Sequence, residues 1–455
     1  MMANAMCNRR NFLRMAGIGA AGLALGVKAL AVQETGRRPN VLLILTDDQG
    51  SIDVNCFGAG DLHTPNLNAL AERGTRFTQF YVGAPVCSPS RAALMTGRCP
   101  QRAELPTNAH GERGMPGQQL TIAEMLKASG YRTGIFGKWH LGEMDDQAPL
   151  VQGFDEFFGH KLGCIDNYSH FFYWSGPNRH DLWRDNDVVW EEGKYFPDLV
   201  VREAHRFLEE YQDKPFFMYL PFNVPHYPMQ GEEEYREMYA NIEEPRKAYA
   251  AFVSTIDEKI GAVIDKIDAL GLRENTLIIF MSDHGHSVEE RANFGGGNSG
   301  PYRGHKFTLW EGGIRVPCIA SWPGKIPEAE VRGQLATSMD WLPTIAHYCG
   351  VPVPERPLDG KNIADVIASA NAQSPHDVFC WQVNKQWAVR EGDWKLVVNG
   401  PASTHNGKDI PAEEVFLSNL AQDPGESNNL AEQNPDIVAK LTRIHENWVL
   451  DVEKQ

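Results

Sequence analysis

The chain has little of what marks several broad protein classes. It carries 43 lysines and arginines against 59 aspartates and glutamates, a formal net charge of -16 over 455 residues. No surplus of positive charge is available to follow a phosphate backbone, so generic nucleic-acid binding is excluded. An anionic small molecule is not, because local cations decide that. Cysteine is sparse, and none of the eight stands in a CxxC pair or at zinc-like spacing, which excludes a zinc ribbon or finger. Pairing among Cys56, Cys99, Cys164, Cys318, Cys349 and Cys380 stays open. Internal repeats and low-complexity tracts are absent, which excludes a solenoid. What remains is an ordinary globular composition, long enough for one large core and a satellite.

One apolar stretch lies near the N-terminus, Met15 to Val27, but it is too short and too rich in glycine and alanine to span a bilayer. Before it stands Asn8-Arg9-Arg10-Asn11-Phe12-Leu13-Arg14, and after it Ala29-Leu30-Ala31. This layout resembles a twin-arginine export signal with a small-x-small cleavage site. Residues 1–31 are therefore expected to be a cleaved leader, and the mature chain to be periplasmic or secreted with no integral membrane anchor. That route carries folded proteins, so a side chain can be modified in the cytoplasm first.

From Pro39 onward a design recurs. Val41-Leu-Leu-Ile-Leu45 is a continuous apolar run, as expected of a strand buried on both faces of a parallel sheet, and it ends in Thr46-Asp47-Asp48-Gln49. Tyr131 to Phe136 ends in Gly137-Lys138-Trp139-His140, Pro215 to Leu220 leads to Asn223-Val-Pro-His226, and Thr276 to Met281 ends in Ser282-Asp283-His284. Each apolar strand delivers charged or imidazole groups to one sheet edge, where ligands bind in open α/β sheets. A single Asp or His there is ordinarily a turn residue or a cap; four converging sets are not. Helices are predicted over Pro65–Arg73, Leu120–Ser129, Asp198–Tyr211, Arg246–Leu270 and Ser338–Tyr348. The segment 285–304 is polar and glycine-rich and reads as a surface loop over the site. From about residue 375 short β-like pieces at Asp377–Val383, Gln386–Arg390 and Trp394–Val398 precede a helix from Leu430. The expected fold is α/β: a large, mostly parallel sheet flanked by helices on both faces over 38–370. A smaller C-terminal antiparallel sheet plus helix subdomain comes next, over 371–455.

Residues 84–98, Ala-Pro-Val-Cys87-Ser88-Pro89-Ser90-Arg91-Ala-Ala-Leu-Met-Thr-Gly-Arg98, carry the most specific signal. Pro89 suits the first position of a helix, Ser88 can cap it, and Arg91 to Met95 are good helix formers. Cys87 then meets free N–H groups and the positive end of the helix dipole, which favour an anion. A buried structural cysteine is the plainer alternative.

Cys87-Ser-Pro-Ser-Arg91 with Thr96-Gly97-Arg98 resembles the signature of type I, formylglycine-dependent sulfatases of the alkaline phosphatase-like superfamily. The resemblance extends over nearly all of the mature chain: Asp47 and Asp48, Gly-Lys138-Trp-His140, Pro-His226, Asp283-His284, and Lys306 with Glu-Gly-Gly-Ile-Arg-Val-Pro. It implies that a maturation enzyme oxidises Cys87 to 3-oxoalanine (formylglycine). It also implies a divalent cation, Ca2+, on Asp47, Asp48, residue 87, Asp283 and His284. Such an oxygen-rich set suits a hard cation. Catalytic roles are implied for Arg91, Lys138, His140, His226, Asp283 and Lys306, and substrate contacts for Lys138, His226, Lys306 and Arg303. In the family pattern Asp283 accepts a proton from the nucleophile, His226 protonates the departing alcohol, and His140 takes the proton whose loss releases sulfate. The implied activity is hydrolysis of sulfate monoesters, of a sulfated carbohydrate given the export signal. The insertion 166–190, with Trp174, Trp183, Trp190, Arg179 and Arg184, could stack sugars or be an ordinary packed loop. Two other readings stay open: a formylglycine-dependent phosphonate monoester or phosphodiester hydrolase, and a non-catalytic glycan-binding relative.

Overall fold

The run Val41–Leu45 lies within strand β1 (Asn40–Thr46), every residue of which is buried in this computed structural model. The structure describes residues 37–405 and 408–454, so the expected leader lies outside the described residues. A strand without polar alternation needs cover on both faces, and β1 has it. Leu42 and Ile44 point into one apolar layer, and Val41, Leu43 and Leu45 into another.

The main sheet comprises β1, β2 (Thr75–Phe77), β3 (Arg132–Lys138), β4 (Glu156–His160), β5 (Trp183–Arg184), β6 (Asp187–Val188), β7 (Phe216–Pro221), β8 (Thr276–Ser282), β9 (Cys318–Ser321) and β10 (Glu330–Arg332). Their spatial order is β10-β2-β9-β8-β1-β7-β3-β4-β5-β6. The central strands β8, β1, β7, β3 and β4 are mutually parallel, and antiparallel pairs flank them on both sides. Thr46 pairs with Ser282 and Leu45 with Pro221. Three strands therefore end side by side, and the residues just beyond each must emerge at one edge.

Helices α1 (Pro65–Glu72), α2 (Cys87–Thr96), α3 (Ile122–Ala128), α4 (Phe196–Tyr211), α5 (Arg246–Ala269) and α6 (Trp341–Cys349) divide between the two faces. Leu67 of α1, Phe207 of α4 and Ile256 of α5 pack on one; Leu94 of α2, Leu126 of α3 and Trp341 of α6 pack on the other. Thr121 caps α3 through a reciprocal box with Glu124. The start of α2 differs from expectation. Val86 is its N-cap, Cys87 its first residue and Pro89 its third, and the Ser88 hydroxyl does not cap it. Instead Ser88 N–H donates to Asn108 Oδ1 at 3.1 Å, and Ser88 Oγ accepts from Ala109 N–H at 3.0 Å. A distant loop satisfies the helix end, which local sequence cannot reveal.

The smaller sheet is antiparallel, β11 (Val378–Val383), β12 (Gln386–Glu391), β13 (Trp394–Gly400) and β14 (Glu413–Asn419) in consecutive order. Nothing in the sequence pattern marks β14, because Glu-Glu-Val-Phe-Leu-Ser-Asn has no period-two alternation. The final helix, α7 (Pro435–Val452), starts at its proline rather than at Leu430, since proline suits the position whose N–H is unpaired anyway. Among the described residues no helix is long and apolar enough to cross a membrane.

A buried charge cluster ties this sheet to the large one. Lys395 of β13, fully buried, lies 2.9 Å from Glu311 and 3.0 Å from Glu426. Burial raises Glu426 to about 7, with Lys395 opposing the rise. Removing one partner of a buried ion pair leaves the other charge uncompensated. Lys395→Met is expected to lower stability by about 3–5 kcal/mol, read from the urea midpoint. A loss below about 1 kcal/mol would show that the cluster adds nothing beyond a surface pair.

Candidate active site

Each strand end that the sequence singled out reaches one buried spot. Asp47 N–H donates to Val224 O and Asp283 N–H to Thr46 O, both at 3.0 Å, so the chains leave β1 and β8 in register. Asp48 has φ +65, a left-handed conformation that aspartate tolerates better than most residues. Successive side chains of an extended strand point to opposite faces. The turn at Asp48 instead brings both carboxylates to one place. Oxygens of Asp47 and Asp283, Cys87 Sγ and a ring nitrogen of His284 all lie within 4.8 Å of one another, as do those of Asp47, Asp48, Cys87 and His226.

Each carboxylate has a close cation, and Arg91 reaches two of them, lying 3.6 Å from Asp47 Oδ1 as well as against Asp283. Lys138 Nζ lies 2.6 Å from Asp47 Oδ2, and Lys306 Nζ lies 2.8 and 3.0 Å from the Asp48 oxygens. Arg91 donates through Nε and Nη2 to Asp283 Oδ2 at 3.1 and 3.0 Å, and through Nη1 to Lys138 O at 3.0 Å. Arg91 thus pins both Asp283 and the end of β3. His284 donates Nδ1–H to Gly285 O at 2.9 Å, which leaves Nε2 3.3 Å from Cys87 Sγ and 3.5 Å from both Asp48 and Asp283.

Burial dominates the electrostatics here, and neighbours decide which way each group goes. Burial would raise Asp47, but Lys138, His226 and Arg91 outweigh it and hold it well below the usual range. Burial lifts Asp48 to about 7 against Lys306, and Asp283 to about 6 against His284 and Arg91. The Cys87 thiol would also rise on burial, yet Lys138 and Lys306 bring it down to about 6. Burial lowers His284, but Asp283 and Cys87 carry it up to about 9. Asp283, Cys87 and Asp48 thus favour positive charge at this point. Three carboxylates with nitrogen and residue 87 beside them fit a hard divalent cation.

A cavity of about 380 Å³ opens onto Cys87 and is also lined by His140, His226 and Lys306. His226 donates Nδ1–H to Tyr227 O at 2.8 Å, leaving Nε2 toward Asp48 at 3.7 Å. His140 holds φ +51, and its Nδ1 has no hydrogen-bond partner among the described residues. Its ring lies against Gly163, where a Cβ would come within 2.9 Å of Cε1; glycine is what leaves room for the imidazole.

Arg303 is not among these groups, contrary to the substrate contact expected of it. It is buried 3.6 Å over the Trp310 ring and donates to Ser403 Oγ at 2.9 Å and to Glu426 O at 3.3 Å. It faces the smaller sheet. Of the insertion residues that the sequence singled out, Trp174 alone lines the cavity, with Phe172 and Ser175 beside it. Trp183 holds Lys161, Arg184 pairs with Glu203, Arg179 with Glu143, and Trp190 stacks on His180. The cavity wall also includes Asn108, His110, Tyr227, Arg291 and Phe307, none of which the sequence singled out. Arg291 does fall in the glycine-rich segment expected to overlie the site, but no periodicity marks it.

Comparisons with known proteins bear on the chain as a whole. The Sulfatase family model matches residues 39–351, and the model described as N-sulphoglucosamine sulphohydrolase, C-terminal, matches 304–449. Arylsulfatase A of Homo sapiens is 34% identical, with 90% of this chain and 87% of its own covered. The N-acetylgalactosamine-6-sulfatase of Canis lupus familiaris is 33% identical, with 93% and 87% covered. The solved structure of Ps i-CgsB in complex with k-i-k-neocarrahexaose aligns with a TM-score of 0.80 at 31% identity, over 90% of this chain and 93% of that one. The fold is that of a hydrolase of the alkaline phosphatase-like superfamily. Within it, the chain belongs to the sulfatase family and is a sulfuric ester hydrolase.

The donor set generates a direct expectation. Purified protein should carry about one equivalent of divalent metal, as a single shared site requires, and Asp47→Ala should lose it. Unchanged metal content in that variant, measured by elemental analysis, would remove Asp47 from the ligand set.

Proposed function

We propose that the protein hydrolyses the sulfate monoester of a sulfated sugar, using formylglycine made from Cys87 and one Ca2+ held by Asp47, Asp48, Asp283, His284 and residue 87. The observation that carries this reading is the meeting of Cys87, three buried carboxylates and two lysines beside a cavity whose lining includes Cys87 and Lys306. The sugar is supported by the names of relatives, which include an N-acetylgalactosamine-6-sulfatase and a structure with a neocarrahexaose bound. The expected leader supports export from the cytoplasm.

When present, the modified residue supplies an oxygen nucleophile and the cation supplies positive charge beside it. The chain's own groups do the rest. A sulfate ester shields its sulfur with negative oxygens, so the site must first neutralise them. Lys306, which lines the cavity, and Lys138, buried beside Asp47, supply two cations near residue 87. Arg91 keeps Asp283 oriented, and Asp283 accepts the proton of the attacking group. His226 presents Nε2 toward the cavity and gives a proton to the departing alcohol oxygen. His140, on a separate loop with its ring set by Gly163, takes the proton whose loss frees sulfate and resets the site.

Mass analysis of the Cys87 peptide, from a host with the maturation enzyme, tests the first element. The peptide should be lighter by the thiol-to-aldehyde change, and fully active enzyme holding only thiol would overturn it. Activity on sulfate esters against phosphodiesters separates the reading from phosphonate or phosphodiester hydrolysis.

The histidines should differ kinetically. His226→Ala should slow release of poorly activated alcohols by about 100-fold or more and nitrophenol far less, because only the former need the proton. His140→Ala should release about one equivalent of alcohol per enzyme in a rapid-mixing experiment and then stall before sulfate appears. A burst in His226→Ala and none in His140→Ala would reverse the assignment.

A further inference from the structure

The cavity is larger than one sulfate group needs, and its outer wall carries a cation that the reaction does not use. Charges alternate outward from the carboxylates. Lys306 lies 2.8 Å from Asp48 and 3.8 Å from Glu289, and Glu289 in turn pairs with Arg291. Arg291 is thus separated from Asp48 by Lys306 and Glu289. Its guanidinium lies across the ring of Trp174 and 5.4 Å from the centre of Tyr227. Trp174 is 38% exposed, so this arginine sits toward solvent while Lys306 stays at the floor.

Glu289 is shared between two neighbours. One carboxylate faces two cations, Lys306 and Arg291, and Ser287 Oγ donates to it as well. Asp48 answers Lys306, so the charges along this wall pair off, and what Arg291 offers a ligand is its place in the cavity lining and the guanidinium edges that Glu289 does not cover. The arginine is also held in place. Stacking on an aromatic face fixes the guanidinium plane and leaves N–H edges for a planar or tetrahedral anion. A lysine there would be a mobile point charge; a stacked arginine is a shaped one.

We infer that Arg291, positioned by Trp174 and Glu289, recognises a second anionic group on the substrate, a carboxylate or another sulfate on the sugar or its neighbour. The reactive ester lies at Cys87 between Lys138 and Lys306, and the second anion lies at the outer wall. The substrate class is accordingly a sulfated saccharide with at least two negative groups. This inference rests on the sulfatase reading and adds the second charge to it.

The test compares kcat/KM for three esters on the formylglycine-bearing enzyme: nitrophenyl sulfate, a monosulfated neutral sugar, and the same sugar bearing a second sulfate or a uronate carboxylate. The doubly anionic sugar should exceed the singly anionic one by about 10- to 100-fold, as a charge-assisted hydrogen bond provides. Arg291→Gln should bring that ratio toward one, chiefly through KM, and Arg291→Lys should leave it between the two. Added salt should shrink the wild-type ratio. A wild-type ratio near one, or a ratio that Arg291→Gln leaves unmoved while nitrophenyl sulfate is still hydrolysed, would overturn the role of Arg291 alone. Failure to hydrolyse every sulfate ester, nitrophenyl sulfate included, would overturn the sulfatase reading with it.

Discussion

Everything at the active site depends on keeping three carboxylates buried at the ends of two parallel strands. Taking a carboxylate out of water costs several kcal/mol unless a partner is supplied. Here each has its own: Lys138 for Asp47, Lys306 for Asp48 and Arg91 for Asp283. The partners come from β3, from the loop after the glycine-rich segment and from the helix that starts at Cys87. Satisfying the carboxylates therefore draws five separate parts of the chain to one point. The same pairing keeps two lysines charged and buried, which is the condition for stabilising a sulfate ester in a place with little water.

The sheet makes this possible by register. Thr46 opposite Ser282 and Leu45 opposite Pro221 bring Asp47 and Asp283 out together. A slip of one residue would turn an aspartate into the apolar layer below. Such a slip is opposed on both faces, since Val41, Leu43 and Leu45 fit one core and Leu42 and Ile44 the other. Packing that looks purely structural thus fixes the spacing of the charged groups.

This explains how much of the site is legible without coordinates. Buried parallel strands advertise themselves as unbroken apolar runs, and the residues just after them share one edge by topology alone. Asp47, Lys138, His226 and Asp283 can be grouped without knowing a single distance. Features set by contacts remote in sequence are not legible. The cap on the helix at Cys87 comes from Asn108, and the missing alternation in Glu413–Asn419 hides a strand. Arg303 departs from its expected role for a related reason. It stands three residues before Lys306, and nothing local says that its side chain turns to Trp310 and the smaller sheet.

The cavity wall shows the same limit from the other side. Its floor is built at strand ends and can be read, whereas its rim comes from loops whose order depends on one another. Arg291 matters because Trp174, more than a hundred positions earlier, lies under it, and Glu289 is drawn toward Lys306 as well as toward Arg291. Neither residue has a pattern around it that marks a site. In an enzyme of this architecture the reaction is thus written where strands end. Selection among substrates is written in contacts between loops, and for those the geometry must be in hand before the chemistry can be argued.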